Sequence, residues 1–300
     1  MLDVRRLRVL LAVAEQGGIA AAARALSFTP PAVSQQIAAL ERQVDTVLID
    51  RSQRTARLTP AGERLAGHAR RVLAGLEAAE ADLAGLDGAV RGILRVGIVA
   101  TLGRGLLPGV LAGLAATAPE LDFRVDQLEP EESLPALGRG ELDVVLAGEY
   151  GLAPRRLDTS IERIELFTEP VFVAVRDDVA LAGSEVCLAD LSEARWIAPA
   201  PGTSCAVLLE RSCALAGFEP MVVGRCADFD LAAALVRAGH GITLIPRIAA
   251  TPAATAGLRL LTATDPPIHR SIFAAVRHGA REHPAISCFL DAVRQFPRRS

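Results

Sequence analysis

The chain of 300 residues contains no lysine, so all of its 32 basic residues are arginine. It also lacks any uncharged run of about 18 apolar residues, the length that a membrane-spanning helix requires. The first residues pass directly into an amphipathic pattern and lack the apolar core of a secretory signal. Five cysteines are an odd number and have no paired CxxC spacing, so neither a disulfide framework nor a zinc site is expected. We therefore expect a cytoplasmic protein that does not associate with membranes.

Sequence motifs of the common enzyme classes are absent as well. The chain has no glycine-rich phosphate loop, no GxSxG nucleophile elbow, no HExxH helix and no cluster of cysteine and histidine ligands. Its five histidines are scattered along the sequence. These absences predict a protein that is not an enzyme and that needs neither a cofactor nor a metal.

The charge is distributed unevenly between the two parts of the chain. Residues 1–62 hold eight arginines against five acidic residues, a balance of +3. Because the whole chain carries −3, the remaining 238 residues sum to −6. A basic N-terminal part on an acidic body indicates that only the N-terminal part meets a polyanion.

Three short amphipathic segments at the N-terminus predict helices. Residues 4–16 place apolar side chains at spacings of three and four, residues 20–26 are rich in alanine, and residues 30–44 form the third segment. Thr29 is a suitable N-cap for the third helix, and Pro30 fits its first position, where the missing N–H costs nothing. With a tight turn before the third helix, this is the pattern of a helix-turn-helix, whose last helix enters the major groove of DNA.

The third helix and a following hairpin carry the candidate DNA contacts. Ser34 and Gln35 lie opposite the apolar stripe and can hydrogen-bond to base edges. Two short β-type runs then flank a polar loop between residues 47 and 58. This pattern predicts a wing in which Arg51 and Arg54 contact phosphates or the minor groove. An ordinary three-helix protein-interaction module is the alternative.

Two segments of this N-terminal part carry a family resemblance. Residues 28–37, Phe-Thr-Pro-Pro-Ala-Val-Ser-Gln-Gln-Ile, resemble the recognition helix of LysR-type transcription regulators, and the motif Arg-x-x-Arg-x-x-x-Leu-Thr-x-x-Gly at 51–62 resembles their wing. Two positions depart from the family pattern: Pro30 stands where glutamine is frequent, and Asp45 where glycine is usual. The resemblance implies a winged helix-turn-helix that binds double-stranded DNA through Thr29, Pro31, Ser34, Gln35, Arg51, Arg54 and Thr59.

Residues 60–86 predict one long helix, because leucine, valine and alanine recur at spacings of three and four. About 27 residues at a rise of 1.5 Å span roughly 40 Å. Such a lone helix cannot bury its apolar stripe within a small domain, so a partner helix is expected. The resemblance implies that this is the linker helix through which LysR-type regulators form homodimers. Packing against the chain's own second domain is the alternative, and residues 85–92 form the hinge that follows.

The C-terminal body alternates strand-like and helix-like segments, which predicts an α/β sheet with parallel strands. Residues 137–145, 216–220 and 235–246 resemble conserved segments of the two-lobed, periplasmic-binding-protein-like effector domain of LysR-type regulators. The predicted fold class is therefore α/β, with a winged helix-turn-helix, a linker helix and a two-lobed effector domain. The predicted domain boundaries are 1–59 for the DNA-binding domain, 60–88 for the linker helix and 92–300 for the effector domain, with lobe I at about 92–163 and 268–300 and lobe II at about 164–267.

A small-molecule effector is expected between the lobes, at the carboxyl ends of the strands. Thr101 follows the first strand of the body, and Gly202-Thr203-Ser204 precedes a helix whose free N–H groups can bind an anion. Asp228 opposes a simple anion and favours an amino-bearing ligand. The alternative is that these hydroxyls only cap helices. The predicted effector-binding residues are Thr101, Leu102, Thr203, Ser204, Asp228, Phe229 and Ile245.

Two other functions compete with this prediction. Some LysR-type regulators sense peroxide through a cysteine pair in the region of Cys205 and Cys213, and the helix N-terminus is expected to lower the thiol pKa of Cys205. The two cysteines are eight residues apart on one predicted helix, roughly 12 Å, which no disulfide spans. A solute-binding protein shares the fold of the body, but the arginine-bearing N-terminal part argues against it. The resemblance also implies a homodimer or homotetramer and RNA polymerase as a further partner.

Overall fold

The structure is a computed structural model that describes residues 2–50, 57–84, 90–180 and 182–296. The N-terminal part is a helix-turn-helix with a short antiparallel hairpin, in which Ile49 pairs with Leu58 and Asp50 with Arg57. The predicted bounds of the first and third helices are confirmed, and the second helix begins one residue earlier than predicted. The elements are α1 (Val4–Gln16), α2 (Ile19–Ala25), α3 (Pro30–Val44), β1 (Ile49–Asp50) and β2 (Arg57–Leu58).

The linker helix α4 runs from Pro60 to Ala84 and takes part in two packing regions. Ala66 and Ala69 on its first half are buried in the same hydrophobic cluster as α1, α2 and α3. The second half carries the exposed apolar side chains Val72 and Leu76. The first half of α4 is therefore part of the N-terminal core. In the second half, Val72 and Leu76 form an exposed apolar stripe that a partner helix would cover.

Lobe I of the body is a sheet covered by helices on both faces. Strands β3 and β4 pair in parallel over their full length, and β5 pairs in parallel with the other edge of β3. Strand β12 adds to β5 in the antiparallel sense. The elements are β3 (Arg91–Ile98), α5 (Ala100–Gly105), α6 (Leu107–Thr117), β4 (Glu120–Gln127), α7 (Pro130–Arg139), β5 (Val144–Tyr150), β12 (His269–Arg277) and α11 (Pro284–Gln295).

The sequence pattern of the body predicts a helix over about 105–116. The structure has this helix as α6, which begins at Leu107, and an additional short helix, α5, stands before it. Leu106 separates the two, with φ −127° and ψ −48°. Pro108 stands at the start of α6. Since proline has no N–H and its ring clashes with the carbonyl four residues earlier, α5 cannot continue through this position. The break turns α5 into a separate short helix at the end of β3.

Lobe II continues the same sheet through the long strand β6. The first part of β6 pairs with β12, and from Val171 onward it pairs instead with β10 and β11. The sequence pattern predicted only the second part, 171–175, as a strand. A parallel pair, β8 and β9, lies beside this sheet. The elements are β6 (Ile161–Arg176), β7 (Glu185–Val186), β8 (Arg195–Ala198), α8 (Ser204–Leu215), β9 (Met221–Arg225), α9 (Phe229–Arg237), β10 (Thr243–Pro246), α10 (Pro252–Thr255) and β11 (Leu258–Ala263).

The predicted parallel pairing is thus found for some strands of each lobe, while β12 pairs antiparallel with β5 and both β10 and β11 pair antiparallel with β6. The two strands that cross between the lobes, β6 and β12, run antiparallel to each other. Separate hydrophobic cores fill the two lobes, one around α6 and α11 and the other around Trp196 and α8. Among the described residues, no helix has both the length and the apolar character needed to cross a membrane.

Candidate effector cavity and DNA-contacting surface

The N-terminal end of α3 is built as the sequence predicts. The side chain of Thr29 accepts a hydrogen bond from the Ala32 N–H at 3.4 Å, and a proline occupies the first helical position. On the inner face of α3, Val33, Ile37 and Leu40 are fully buried. This burial fixes the rotation of the helix and turns its opposite face toward solvent.

Four of the predicted DNA-contacting residues lie on this outer face. Thr29, Pro31 and Gln35 are exposed, and Ser34 is half-buried. Positions three and four apart on a helix share one face. The residues at 31, 34 and 35 therefore form one small surface at the beginning of α3, next to the capping Thr29.

The other predicted DNA contacts differ in their placement. The hydroxyl of Thr59 donates to the Val47 carbonyl at 2.8 Å and accepts from the Gly62 N–H at 3.1 Å. It therefore joins the hairpin to the start of α4, and its proton is already engaged. Arg51 and Arg54 lie outside the described residues.

A cavity of about 120 Å³ lies between the two lobes of the body. Its walls are the segments that follow β3, β4, β8 and β9, the last residues of β5 and the first residues of α8 and α9. This is the edge of an α/β sheet where ligands are expected, because the carboxyl ends of the strands meet there. Five of the seven predicted effector-binding residues line it: Thr101, Thr203, Ser204, Asp228 and Phe229.

Leu102 and Ile245 do not line the cavity. The Leu102 side chain is fully buried in the core of lobe I, among α6 and α11. The Ile245 side chain packs with Ala174 and Ala233 in lobe II. Each residue neighbours the cavity along the chain, but its side chain points into the hydrophobic core.

Arg270, which lines the cavity, belongs to a buried ion pair that the sequence did not predict. The guanidinium of Arg270 donates to Glu169 Oε1 from Nε at 2.8 Å and from Nη2 at 2.5 Å. Its Nη1 also donates to the hydroxyl of Thr101 at 3.2 Å. The two charged residues face each other on β12 and β6, where these strands cross between the lobes. Arg270 thus connects the crossing strands to the predicted residue Thr101.

Two neighbouring groups shape the surroundings of Arg270. A Cβ atom at Gly148 would lie only 2.8 Å from Arg270 Cδ, so glycine is needed for the side chain to pass over β5. The other oxygen of Glu169 accepts from the Ile248 N–H at 2.8 Å. Desolvation by burial raises the pKa of Tyr150, which lies beside Arg270 in the cavity wall. Tyr150 is therefore a neutral phenol at physiological pH.

Arginine side chains join the two lobes at both rims of the cavity. Arg104 of lobe I lies 3.1 Å from Asp228 and 3.1 Å from Asp230, at the start of α9 in lobe II. At the other rim, Arg155 donates to Glu131 at 2.7 Å and to the hydroxyl of Ser204 at 2.7 Å. Both sets of contacts are partly exposed, and each connects a side chain of lobe I with the start of a helix in lobe II.

The carboxylate of Asp228 also caps a helix. It caps α9 by accepting from the Leu231 N–H at 2.9 Å. This backbone bond, followed by the contacts with Arg104, lowers its pKa. Arg104 lies against both Asp228 and Asp230, so the three side chains together carry one negative charge, and the expectation that Asp228 opposes a simple anion stays a prediction. Glu129 supplies the other carboxylate of the wall, and burial together with Glu131 raises the pKa of that group.

The cysteine chemistry also departs from expectation. Cys205 lines the cavity, but burial raises its thiol pKa to about 11. Desolvation by burial is the largest influence on this thiol, ahead of the hydrogen bond with Tyr150 that lowers its pKa. Cys213 is buried on the same helix, and burial raises its pKa to about 12. Both cysteines are thus protonated thiols at neutral pH, eight residues apart along α8.

Two family models match the chain. Residues 4–63 match the family model described as bacterial regulatory helix-turn-helix protein, lysR family, and residues 87–298 match the LysR substrate binding domain. A probable hydrogen peroxide-inducible genes activator of Streptomyces viridosporus is 31% identical over 305 residues, covering 99% of this chain and 96% of that protein.

Two further comparisons extend over nearly the whole length. The DNA-binding transcriptional dual regulator OxyR of Escherichia coli K12 is 28% identical over 296 residues, which cover 98% of this chain and 95% of that protein. A structure of a full-length OxyR variant from Pseudomonas aeruginosa superposes with a TM-score of 0.78 at 21% identity and covers 98% of this chain and 95% of that one. It shares the fold of this chain, which consists of an N-terminal head (the helix-turn-helix with its hairpin), the linker helix and the two-lobed body. The chain belongs to the LysR family of bacterial transcription regulators.

Proposed function

We propose that this LysR-family regulator binds its effector in the cavity between the lobes and reads its operator with the outer face of α3. The observation that carries the proposal is the convergence of Thr101, Thr203 and Ser204 on one cavity together with Arg270. Helix α8 begins at Ser204, in the cavity wall, and its first backbone N–H groups have no acceptor within the helix. Such a wall suits a small polar ligand that both accepts and donates hydrogen bonds.

The hydroxyl of Thr203, which caps α8, allows a test of whether the cavity binds the effector. Thr203 accepts from the Ala206 N–H at 3.3 Å, and Thr251 caps α10 in the same way at 3.2 Å but does not line the cavity. Thermal shifts are measured with a panel of amino acids and aromatic acids. Ligand at 100 times its Kd stabilises the folded chain by about 2.7 kcal/mol. We expect Thr203→Val to lose this shift and Thr251→Val to keep it. If both variants keep the full shift, the hydroxyl of Thr203 only caps α8.

For DNA, we propose that Ser34 and Gln35 contact base edges, with Thr29 and Pro31 beside them. Their exposure at the start of α3 supports this role. Arg51 and Arg54 are proposed phosphate contacts on sequence grounds. Thr59 acts indirectly, because its hydroxyl holds the hairpin against α4. An Arg51→Ala variant should weaken binding to all sequences and flatten the salt dependence, which a base-reading residue would not do.

A peroxide response is the second candidate function. It is supported by the position of Cys205 in the cavity and by relatives described as hydrogen peroxide-inducible genes activators. The raised thiol pKa values of Cys205 and Cys213, and their separation along α8, oppose it. After peroxide treatment, a Cys205–Cys213 crosslink found by mass spectrometry would require α8 to unfold and would favour this function. Without that crosslink, the disulfide form of the proposal fails.

The remaining features follow from the family membership and are proposals for this chain. The exposed apolar stripe of α4 supports a homodimer, and pairing of two dimers through their bodies would give a homotetramer. We propose that the protein acts in the cytoplasm, where bacterial DNA lies, and that RNA polymerase is a further partner. We propose no enzymatic activity for it. The functional units are proposed as 1–59 for DNA binding, 60–88 for dimerisation and 92–300 for effector binding, although the first half of α4 also belongs to the core of the head.

A further inference from the structure

The linker helix contacts lobe I directly, well before the point where the chain enters the body. Arg70 on α4 donates to Glu141 Oε1, at the start of the segment leading into β5, over 3.3 Å. The Nε of the same guanidinium lies 3.9 Å from Glu15 on α1. The Arg70 side chain is only 15% exposed, while its partners Glu141 and Glu15 are 36% and 53% exposed. One side chain therefore contacts the DNA-binding head and the effector domain together.

Arg70 has little freedom to move relative to the head. Its neighbour Ala69 is fully buried in the core formed with α1, α2 and α3. On the other side, a Cβ atom at Gly140 would lie 3.0 Å from the Arg70 Cβ, so the backbone of lobe I is in close contact with α4. Gly140 has φ +77°, a conformation that favours glycine. Helix α4, which is anchored in the core of the head, is therefore in close contact with the corner after α7, formed by Gly140 and Glu141.

The carboxylate of Glu141 is fixed from its own side as well. Arg139 donates to it through Nε at 2.9 Å and through Nη2 at 2.8 Å. These hydrogen bonds, and to a lesser degree the charge of Arg70, lower the pKa of Glu141. The group is therefore a carboxylate at neutral pH and remains a partner for Arg70.

This corner is connected to the effector cavity by one helix and one strand. Helix α7 begins at Pro130, which lines the cavity, and ends at Arg139, next to Gly140. Strand β5 begins just after the corner and ends at Tyr150, in the cavity wall. A shift of α7 and β5 at the cavity is therefore carried to the corner without crossing a flexible segment.

We propose that Arg70, Glu141 and Gly140 form a coupling junction through which lobe I sets the orientation of the DNA-binding head. Arg70 acts here as a positioning residue and touches neither effector nor DNA. The inference rests on the proposed function, because it assumes that the cavity and the head bind their ligands. The proposed coupling between lobe I and the head runs within a single chain. It acts in addition to coupling through the dimer and through the C-terminal end of α4.

The test uses DNA as the probe, because coupling between two sites is reciprocal and no effector is then needed. Hydrogen exchange is followed by mass spectrometry in the full chain, free and bound to the fragment it binds most tightly. We expect DNA binding to slow exchange of peptides from 136–150 by about five-fold or more, the lower range of usual coupling factors. Arg70→Met and Glu141→Gln should each lose this response while still binding the fragment.

A matched variant controls for the loss of an ion pair as such. Arg281 and Glu162 lie 3.3 Å apart within lobe I, the same distance as Arg70 and Glu141. Arg281→Met should keep the DNA-induced response in full. A response that persists in the Arg70 or the Glu141 variant, or that is missing from the wild type, overturns the coupling junction. Glu141→Gln decides the question if Arg70→Met fails to fold, and failure to bind any DNA fragment would instead refute the proposed function.

Discussion

The buried pair of Glu169 and Arg270 gives a prediction about stability that can be worked out from the structure. The two side chains are only 5% and 4% exposed, and they hold β6 and β12 together where these strands cross. Glu169→Ala leaves the guanidinium of Arg270 buried without its counter-charge and leaves the Ile248 N–H without its acceptor. Removing one partner of a buried ion pair costs about 3–5 kcal/mol. For a domain of this size, that corresponds to a fall in Tm of roughly 6–20 °C.

The assay is urea unfolding followed by circular dichroism, with thermal unfolding as a second measurement. Glu162→Ala is the matched control, because Glu162 lies on the same strand but forms a more exposed pair with Arg281. An exposed pair of this kind contributes about 1 kcal/mol or less. In the Glu169→Ala background, adding Arg270→Met should restore part of the lost stability, since the unpaired buried charge is then gone. A loss from Glu169→Ala no larger than that of the control would refute the reasoning.

Two further predictions concern the recognition helix and the cavity thiol. In a binding-site selection, Gln35→Ala should reduce discrimination at one base position by about 1–3 kcal/mol. The control Gln16→Ala, at the exposed end of α1, should leave the base preference unchanged. An unchanged preference in Gln35→Ala would remove Gln35 from the base-reading surface. Alkylation of Cys205 by iodoacetamide in the native chain should speed up about ten-fold per pH unit between pH 7 and 10, because only the thiolate reacts and its pKa is about 11. A rate that levels off by pH 8 would contradict the effect of burial on this thiol.

The sequence was most informative where local chemistry decides the structure. The Thr29 cap, the proline after it and the apolar stripe of α3 fix the bounds and the rotation of the recognition helix, and all are confirmed. Likewise, the positions of Thr101 after a strand and of Thr203 before a helix were enough to predict that they meet at one edge of the sheet.

The parts that the sequence did not show depend on contacts between distant segments. Arg270 and Glu169 are about a hundred residues apart and meet only because β6 and β12 pair across the lobes. A single charged residue at the edge of an apolar run was the available signal, but it could not indicate a partner. Leu102 and Ile245 were assigned to the cavity wrongly, since sequence position alone cannot tell whether a side chain points into a core or into a cleft. The junction at Arg70 required the packing of α4 on lobe I.

The central claim is that the chain recognises a specific DNA sequence, and operator binding tests it most directly. The purified protein is titrated into labelled tiles of the DNA upstream of its own gene at near-physiological salt, and fluorescence anisotropy is recorded. A specific regulator binds its site about 10³-fold or more tightly than other DNA. We predict tight binding to one tile, lost on scrambling its sequence. Equal and weak binding to every tile, with and without the ligands that stabilise the effector domain, would contradict the account.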